Sequence, residues 1–246
     1  MQISLVKSSF YFTYIFLITT GTICFIEALR NPVPQIRHIM NLETCISVVA
    51  GYFYGVFVDK LNKVEKEQKQ QKENLDEKQG LNENQENDQN KEIELPYEKI
   101  NDMRYTDWAI STPLMLLVLC MVLGMENKKV VSFMPFVLIL VFNFLMLGSG
   151  YIGELGKLPT LIANIIGFVF FILMYGTIWK VYMSGTKQTK QSQVIFWLFV
   201  VLWALYGVFY QMPQLTKIFG YNILDLLSKA FVGIFFWFYL TKSVKF

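Results

Sequence analysis

The sequence predicts an all-α membrane protein: a bundle of seven transmembrane helices with its N-terminus outside and its C-terminus in the cytoplasm. Three observations carry this. Seven apolar stretches are each long enough to cross about 30 Å of hydrocarbon at 1.5 Å per residue. Of the 246 residues, 54% are hydrophobic and 16% aromatic, too many for a soluble domain. The charges are segregated, most of them lying between Asp59 and Arg104, so the net charge of +3 says little about partners and nothing in it points to nucleic acid. The chain divides into spans one and two (1–58), a charged extracellular loop (59–103) and spans three to seven (104–246), all forming one domain.

The first stretch, 9–29, follows Lys7. It is longer than a signal-peptide core and lacks a small-x-small cleavage site, so it reads as a retained span. The others are placed at 39–58, 105–125, 130–152, 158–182, 193–213 and 219–241. Arg30 and Arg37, then Lys128 and Lys129, then Lys180, Lys187 and Lys190, then Lys242 and Lys245 fall on one side. By the positive-inside rule that side is cytoplasmic. Between spans two and three, a run rich in Lys, Glu, Gln and Asn has almost nothing to bury. It is predicted to be mostly disordered, with room for a helical continuation at its start and structure resuming near Pro96.

Several chemistries are excluded. Cys24, Cys45 and Cys120 lie in apolar segments at no metal-ligand spacing, which implies neither a disulfide framework nor a metal site. There is no phosphate-binding glycine loop or nucleophile elbow, and His38 is the single histidine, so an enzyme is not expected. The chain ends soon after the seventh span, at Phe246, and a fused enzyme domain is not expected either.

One lysine dominates what remains. Lys229 stands in the middle of the last apolar stretch, with Asp225 four residues earlier on the same helix face. An ionisable group at that depth costs about 2.5–3.5 kcal/mol on insertion scales and needs a partner. Two readings are open: a structural ion pair in a bundle, or a lysine that holds an aldehyde with carboxylates stabilising the cation. The third span adds Asp107, Ser111 and Val118 on one face, with Pro113 inside the span. There a neighbouring Ser or Thr can satisfy the carbonyl that the proline frees.

The run Arg104-Tyr105-x-Asp107-Trp108 with Thr112-Pro113-Leu114 resembles the third helix of the microbial (type 1) rhodopsins, and Asp225-x-x-x-Lys229 resembles their retinal attachment motif. Trp203, Tyr206 and Tyr210 look like the family's sixth-helix aromatic wall. Met146 and Gly150 in the fourth span, Gly167 in the fifth and Tyr54 in the second match further pocket positions, and the fifth span is similar to the proteorhodopsin branch. The resemblance implies all-trans-retinal as cofactor, Lys229 as the Schiff base lysine, Asp107 and Asp225 as counterions and Arg104 as their support. It also implies a pocket that includes Trp108, Ser111, Thr112, Met115 and Ser228.

The departures matter for function. Outward proton pumps of the family carry a carboxylic acid where this chain has Val118, and the usual sixth-helix proline is Gly207. The loop after the sixth span lacks an acidic pair, while Asp107 disfavours chloride and sodium pumping. Glu43 is a carboxylate left over. With Tyr54 and Asn222 it forms a candidate ion path; alternatively it snorkels to headgroups beside Arg37 and His38. The leading expectation is therefore a light-gated cation channel, and the alternative a light-driven outward proton pump or slow-cycling photosensor. A transporter or receptor with a Lys229–Asp225 ion pair is a third reading. Expected partners are retinal, the lipid bilayer and a transported cation or proton, in a plasma-membrane protein whose sequence is compatible with a homo-oligomer. Expression with all-trans-retinal should give a visible absorption band that Lys229→Ala abolishes; a surviving band overturns the assignment of Lys229.

Overall fold

The computed structural model describes residues 3–79, 97–185 and 188–243. Eight α-helical pieces make seven spans: α1 (Ile3–Arg30), α2 (Pro34–Gln79), α3 (Tyr97–Asn127), α4 (Phe133–Glu154), α5 (Thr160–Ile178), α6 (Lys190–Tyr210), α7 (Gln214–Asp225) and α8 (Val232–Ser243). Two π-helical turns interrupt them. Trp179–Met183 extends α5, and Leu226–Phe231 joins α7 to α8 inside the seventh span. Consecutive helices pack side by side, and the ring closes where α1 meets α7 and α8. Large apolar side chains left on the outside, such as Phe133, Leu161 and Ile172, face the hydrocarbon a bilayer would supply.

Each span forms about where expected, and the largest differences are at two boundaries. α2 does not stop near Val58; it runs through 46 residues into the charged segment. An exposed Lys63–Asp59 pair at 2.8 Å lies one turn apart along it. Two contacts tie the extension to α1: Lys7 Nζ to Glu65 at 3.1 Å and Tyr11 Oη to Asn62 Oδ1 at 2.6 Å. Long straight-chain residues are good helix formers even with nothing to bury, so the helical continuation allowed at the start of the run extends to Gln79. At the far end α3 begins at Tyr97, so 97–103 are helix rather than loop. Residues 80–96, with Pro96, and Lys187 lie outside the described residues.

Pro113 removes the N–H that would meet the carbonyl of Ala109. Thr112 does bond a backbone carbonyl nearby, but that of Trp108, at 2.6 Å. At the turn after α3, Lys128 takes φ 54°, and the Lys129 N–H reaches back to the Gly124 carbonyl at 2.8 Å. That is a left-handed cap on a residue other than glycine. The Lys129 ammonium then donates to the carbonyls of Val181 and Ser184 at 2.7 and 2.6 Å, closing the π-helical end of the fifth span.

The interior is layered. Near the face that holds the N-terminus, Phe10, Leu17, Tyr54, Phe57, Ile100 and Ile218 pack together. Toward the opposite face a larger cluster includes Ile36, Met40, Leu116, Leu123, Phe196 and Phe236. Buried polar groups gather between the two. The α6–α7 approach is close at Gly220, where a Cβ would fall 2.1 Å from the ring of Phe209. Gly220→Ala should cost about 1–3 kcal/mol by overpacking and lower the thermal midpoint in detergent, read by circular dichroism. An unchanged midpoint would show that the ring moves aside freely.

Candidate functional site

At the centre two cations and two carboxylates share a volume buried from bulk solvent. Lys229 Nζ lies 2.6 Å from Asp107 Oδ2 and 3.4 Å from Asp225 Oδ1. Arg104 Nη1 meets Asp225 Oδ2 at 3.0 Å. The four side chains are between 0% and 1% exposed. Breaking one member of such a set leaves a buried charge uncompensated, at a cost of about 3–5 kcal/mol.

The two carboxylates are held differently. Asp225 accepts from Tyr54 Oη and Tyr206 Oη, each at 2.8 Å, and from Trp108 Nε1 at 3.3 Å, in addition to Arg104 and Lys229. Asp107 has the lysine alone, and its Oδ1 has no hydrogen-bond partner among the described residues. Arg104 therefore supports Asp225 rather than Asp107, and its Nη2 donates to Asn222 Oδ1 at 2.7 Å. The rings of Phe57 and Tyr221 flank its guanidinium, with centroids at 5.4 and 5.5 Å. Ser228 Oγ lies 2.9 Å from Tyr206 Oη and so joins the chain that ends on Asp225.

A cavity of about 110 Å³ runs from Lys229 across the bundle. Its walls come from Trp108, Thr112 and Met115 of α3, Met146 and Gly150 of α4, Gly167 of α5, Trp203, Tyr206 and Tyr210 of α6, and Ser228. The family resemblance names each of these as a pocket position. Sequence reasoning missed Tyr105 and Tyr221, and on α5 Ala163, Asn164, Phe168 and Phe171. Helical spacing was the available signal: Tyr105 is one turn before Trp108, and Tyr221 one turn before Asp225.

Three placements differ from expectation. Ser111 is fully buried with its Oγ unpartnered, but it does not line the cavity. It shares the face of Asp107, whereas Trp108, Thr112 and Met115 form the adjacent stripe. Tyr54 belongs to the Asp225 and Arg104 cluster instead of the cavity wall. Asn222 and Glu43 are not brought together. Asn222 bonds Arg104 and Ser9 toward the N-terminal face, while Glu43 lies against Gly233, beyond Lys229.

The pattern of the family described as Bacteriorhodopsin-like protein matches residues 5–243. The chain belongs to the bacteriorhodopsin-like family of microbial rhodopsins. This rhodopsin is 42% identical to the viral rhodopsin OLPVRII, whose crystal structure it matches with a TM-score of 0.78 over 98% of this chain and 100% of that one. A blue light-absorbing proteorhodopsin from Med12 shares the fold at 20% identity and a TM-score of 0.70, covering 97% of this chain and 98% of the other. Among curated sequences, the blue-light absorbing proteorhodopsin of Gamma-proteobacterium Hot 75m4 is 28% identical over 152 residues. That match covers 54% of this chain and 59% of the relative, so the chain spans about six tenths of the length of that relative.

Retinal is the cofactor, in the family typically the all-trans form, and this rhodopsin is an integral multi-pass membrane protein. The residues fit the group: the cavity is aromatic and apolar, it reaches the ammonium of Lys229, and a buried carboxylate oxygen, Asp107 Oδ1, stands unpartnered beside that lysine.

Val118 is buried and apolar, as its identity requires. Glu43 is 2% exposed, which overturns the snorkelling alternative, and no hydrogen bond or ion pair reaches it among the described residues. Near the N-terminal face the sequence offers no acidic pair after α6. The structure instead supplies Glu154 from the end of α4, which is paired with Lys217 at 2.8 Å and bonded by Asn101 at 3.1 Å. Ser228→Ala removes a hydroxyl dipole beside Lys229 and should move the absorption maximum modestly to the red, measured on the retinal-loaded protein. No shift, or a blue shift, would show that the dipole points elsewhere.

Proposed function

We propose that this rhodopsin is a light-driven outward proton transporter in which Lys229 holds retinal, Asp107 receives the proton from Lys229 Nζ, and Glu43 returns one from the cytoplasmic side. The observation that carries this is Glu43: a buried carboxyl with no cation beside it, on the far side of Lys229 from Asp225 and Arg104. Gly233 is one turn past Lys229, and a Cβ built there would stand 3.0 Å from Glu43 Oε2. Thr20, whose hydroxyl bonds the Ala230 carbonyl at 3.2 Å, lies against the same glycine.

Retinal, when bound, supplies light absorption and a light-driven change of shape. The chain's own residues do the rest. Asp225 has its acceptor positions taken by donors on three other spans, so it serves as fixed negative charge. Asp107 Oδ2, at 2.6 Å from Nζ, is within proton-transfer distance and carries a free second oxygen. Arg104, tied to Asp225, Asn222 and Tyr54, holds positive charge on the outer side, where a departing proton would pass.

Along α2, Glu43, Ser47, Ala50 and Tyr54 recur at helical spacing, and all four are buried. This stripe reaches from the inner carboxyl to the counterion cluster. Ile36, Ile39, Met40, Phe236 and Leu240 form an apolar layer between Glu43 and the face opposite the N-terminus. A closed layer suits one-at-a-time proton delivery better than an open cation path, and a carboxyl in the inner half removes the argument that Val118 leaves the lysine without a donor.

The polar stripe on α2 also favours a second reading, a passive cation channel along α1, α2 and the seventh span. Voltage-clamp recording under illumination separates them: one-directional current over a wide voltage range supports the pump, and current that reverses with the ion gradient supports the channel and overturns the pump. Under the proposal Glu43→Gln should leave the absorption maximum in place and slow the last phase of the photocycle by roughly 10²-fold, the lower end of what a positioned proton donor contributes. A permeant weak acid should restore the rate. Unchanged recovery would remove Glu43 from the path.

A further inference from the structure

The sixth-helix glycine, Gly207, has a consequence in the wall of the cavity. α6 ends at Tyr210, and the Gln211 N–H turns to the Val208 carbonyl at 3.3 Å. The Gly207 carbonyl is thus one of the helix-end acceptors with no partner in its own helix. Asn164 of α5 fills the gap, its Nδ2 donating to that carbonyl at 3.1 Å. This bond fixes the amide, because only the NH₂ end can face a carbonyl. The amide oxygen is left over. Asn164 Oδ1 has no partner among the described residues, and it lies 3.3 Å from where a Cβ on residue 207 would stand. The Phe168 ring lies closer still to that point, at 2.6 Å, so a bare Cα there makes room for the ring beside the oxygen. Both residues line the cavity, in a wall that Phe168 and Phe171 otherwise make apolar. α5 packs against α4 and α6, and its cavity residues face the same cavity as Lys229, so a long chromophore held at Lys229 would extend toward this wall.

We propose that Asn164 and Gly207 form an acceptor subsite that selects a retinal bearing a hydroxyl donor on its ring. A plain hydrocarbon ring leaves Oδ1, on the half-buried Asn164, without a donor in that wall. A ring hydroxyl would supply the missing donor. Discrimination of this kind comes from the polar group a site would otherwise leave unsatisfied, and one neutral hydrogen bond is worth roughly threefold to tenfold in binding. The inference rests on retinal being the cofactor.

The test is competitive reconstitution. The full chain, produced without retinal, is given equal amounts of all-trans-retinal and its 3-hydroxy or 4-hydroxy ring analogue, and the chromophores retained are released and quantified by chromatography. At least one hydroxy analogue should be enriched roughly threefold to tenfold, and Asn164→Leu should bring the ratio to that of the mixture supplied. The fluoro analogue at the same ring carbon, similar in size but lacking the donor, should not be enriched. Equal retention by the unaltered chain overturns the subsite, as does enrichment that survives Asn164→Leu or is matched by the fluoro analogue. Should Asn164→Leu fail to fold, the fluoro comparison on the unaltered chain decides alone. A visible band with plain retinal and no enrichment sinks the subsite only; no band with any analogue sinks the retinal assignment with it.

Discussion

Two positive and two negative side chains buried from bulk solvent set the terms for the whole bundle. Arg104, Asp107, Asp225 and Lys229 sum to zero formal charge, and each is stabilised only by the others and by a shell of fixed dipoles. That shell draws on much of the bundle: Tyr54 from α2, Trp108 from α3, Tyr206 from α6, and Asn222 from α7. In a bilayer the hydrophobic effect does little to hold helices together, because lipid tails are as apolar as leucine. Interhelical polar bonds and close packing do that work, so the groups that balance the buried charge also fix the register of the spans.

The arrangement is asymmetric along the membrane normal. Toward the N-terminal face the polar network is dense and continues through Arg104 to Asn222 and Ser9, with the Glu154–Lys217 pair near the end. Beyond Lys229 the core is mostly aliphatic and aromatic, and Glu43 is the one carboxyl there that is buried without a partner among the described residues. At the opposite face the end of α3 is bound to its neighbours: Glu126 accepts from Tyr239 Oη at 2.5 Å and from Thr189 Oγ1 at 3.2 Å. Thr189 in turn caps the first turn of α6. One half of the protein is a preorganised electrostatic cage and the other a packed barrier, the division that the proposed proton transport would require.

The π-helical turn at Lys229 belongs to the same economy of space. Inserting one residue into the ladder widens the helix at Leu226–Phe231, and π turns recur where a side chain must be aimed at a site. With that geometry Asp225 remains within 3.4 Å of the lysine while Asp107 comes closer still. The second π turn, at Trp179–Met183, has its terminal carbonyls satisfied by Lys129, so a loop lysine counted at first only as a topology signal also closes a helix.

Much of this was legible in the sequence, because the signals were local. Apolar length fixed the number of spans, and the depth of Lys229 with a carboxylate four residues away marked the site. The aromatic wall of α6 and most of the cavity residues of α3 came from the resemblance to the microbial rhodopsins. Periodicity placed Asp107, Ser111 and Val118 on one face but could not say that this face turns toward the lysine while the next stripe lines the cavity; that depends on how α3 is rotated against its neighbours. The partner choices were equally out of reach. Which carboxylate takes Arg104, why Tyr54 bonds Asp225, and whether Glu43 reaches the headgroups or lies buried against Gly233 are decided by side chains up to some 200 positions apart in the chain meeting in space. The sequence determined that Asp107, Asp225 and Lys229 would be buried, since each lies within an apolar span; only the tertiary structure decided how they and Arg104 neutralise one another, since a buried charge is settled by whichever helix brings the nearest opposite charge or dipole.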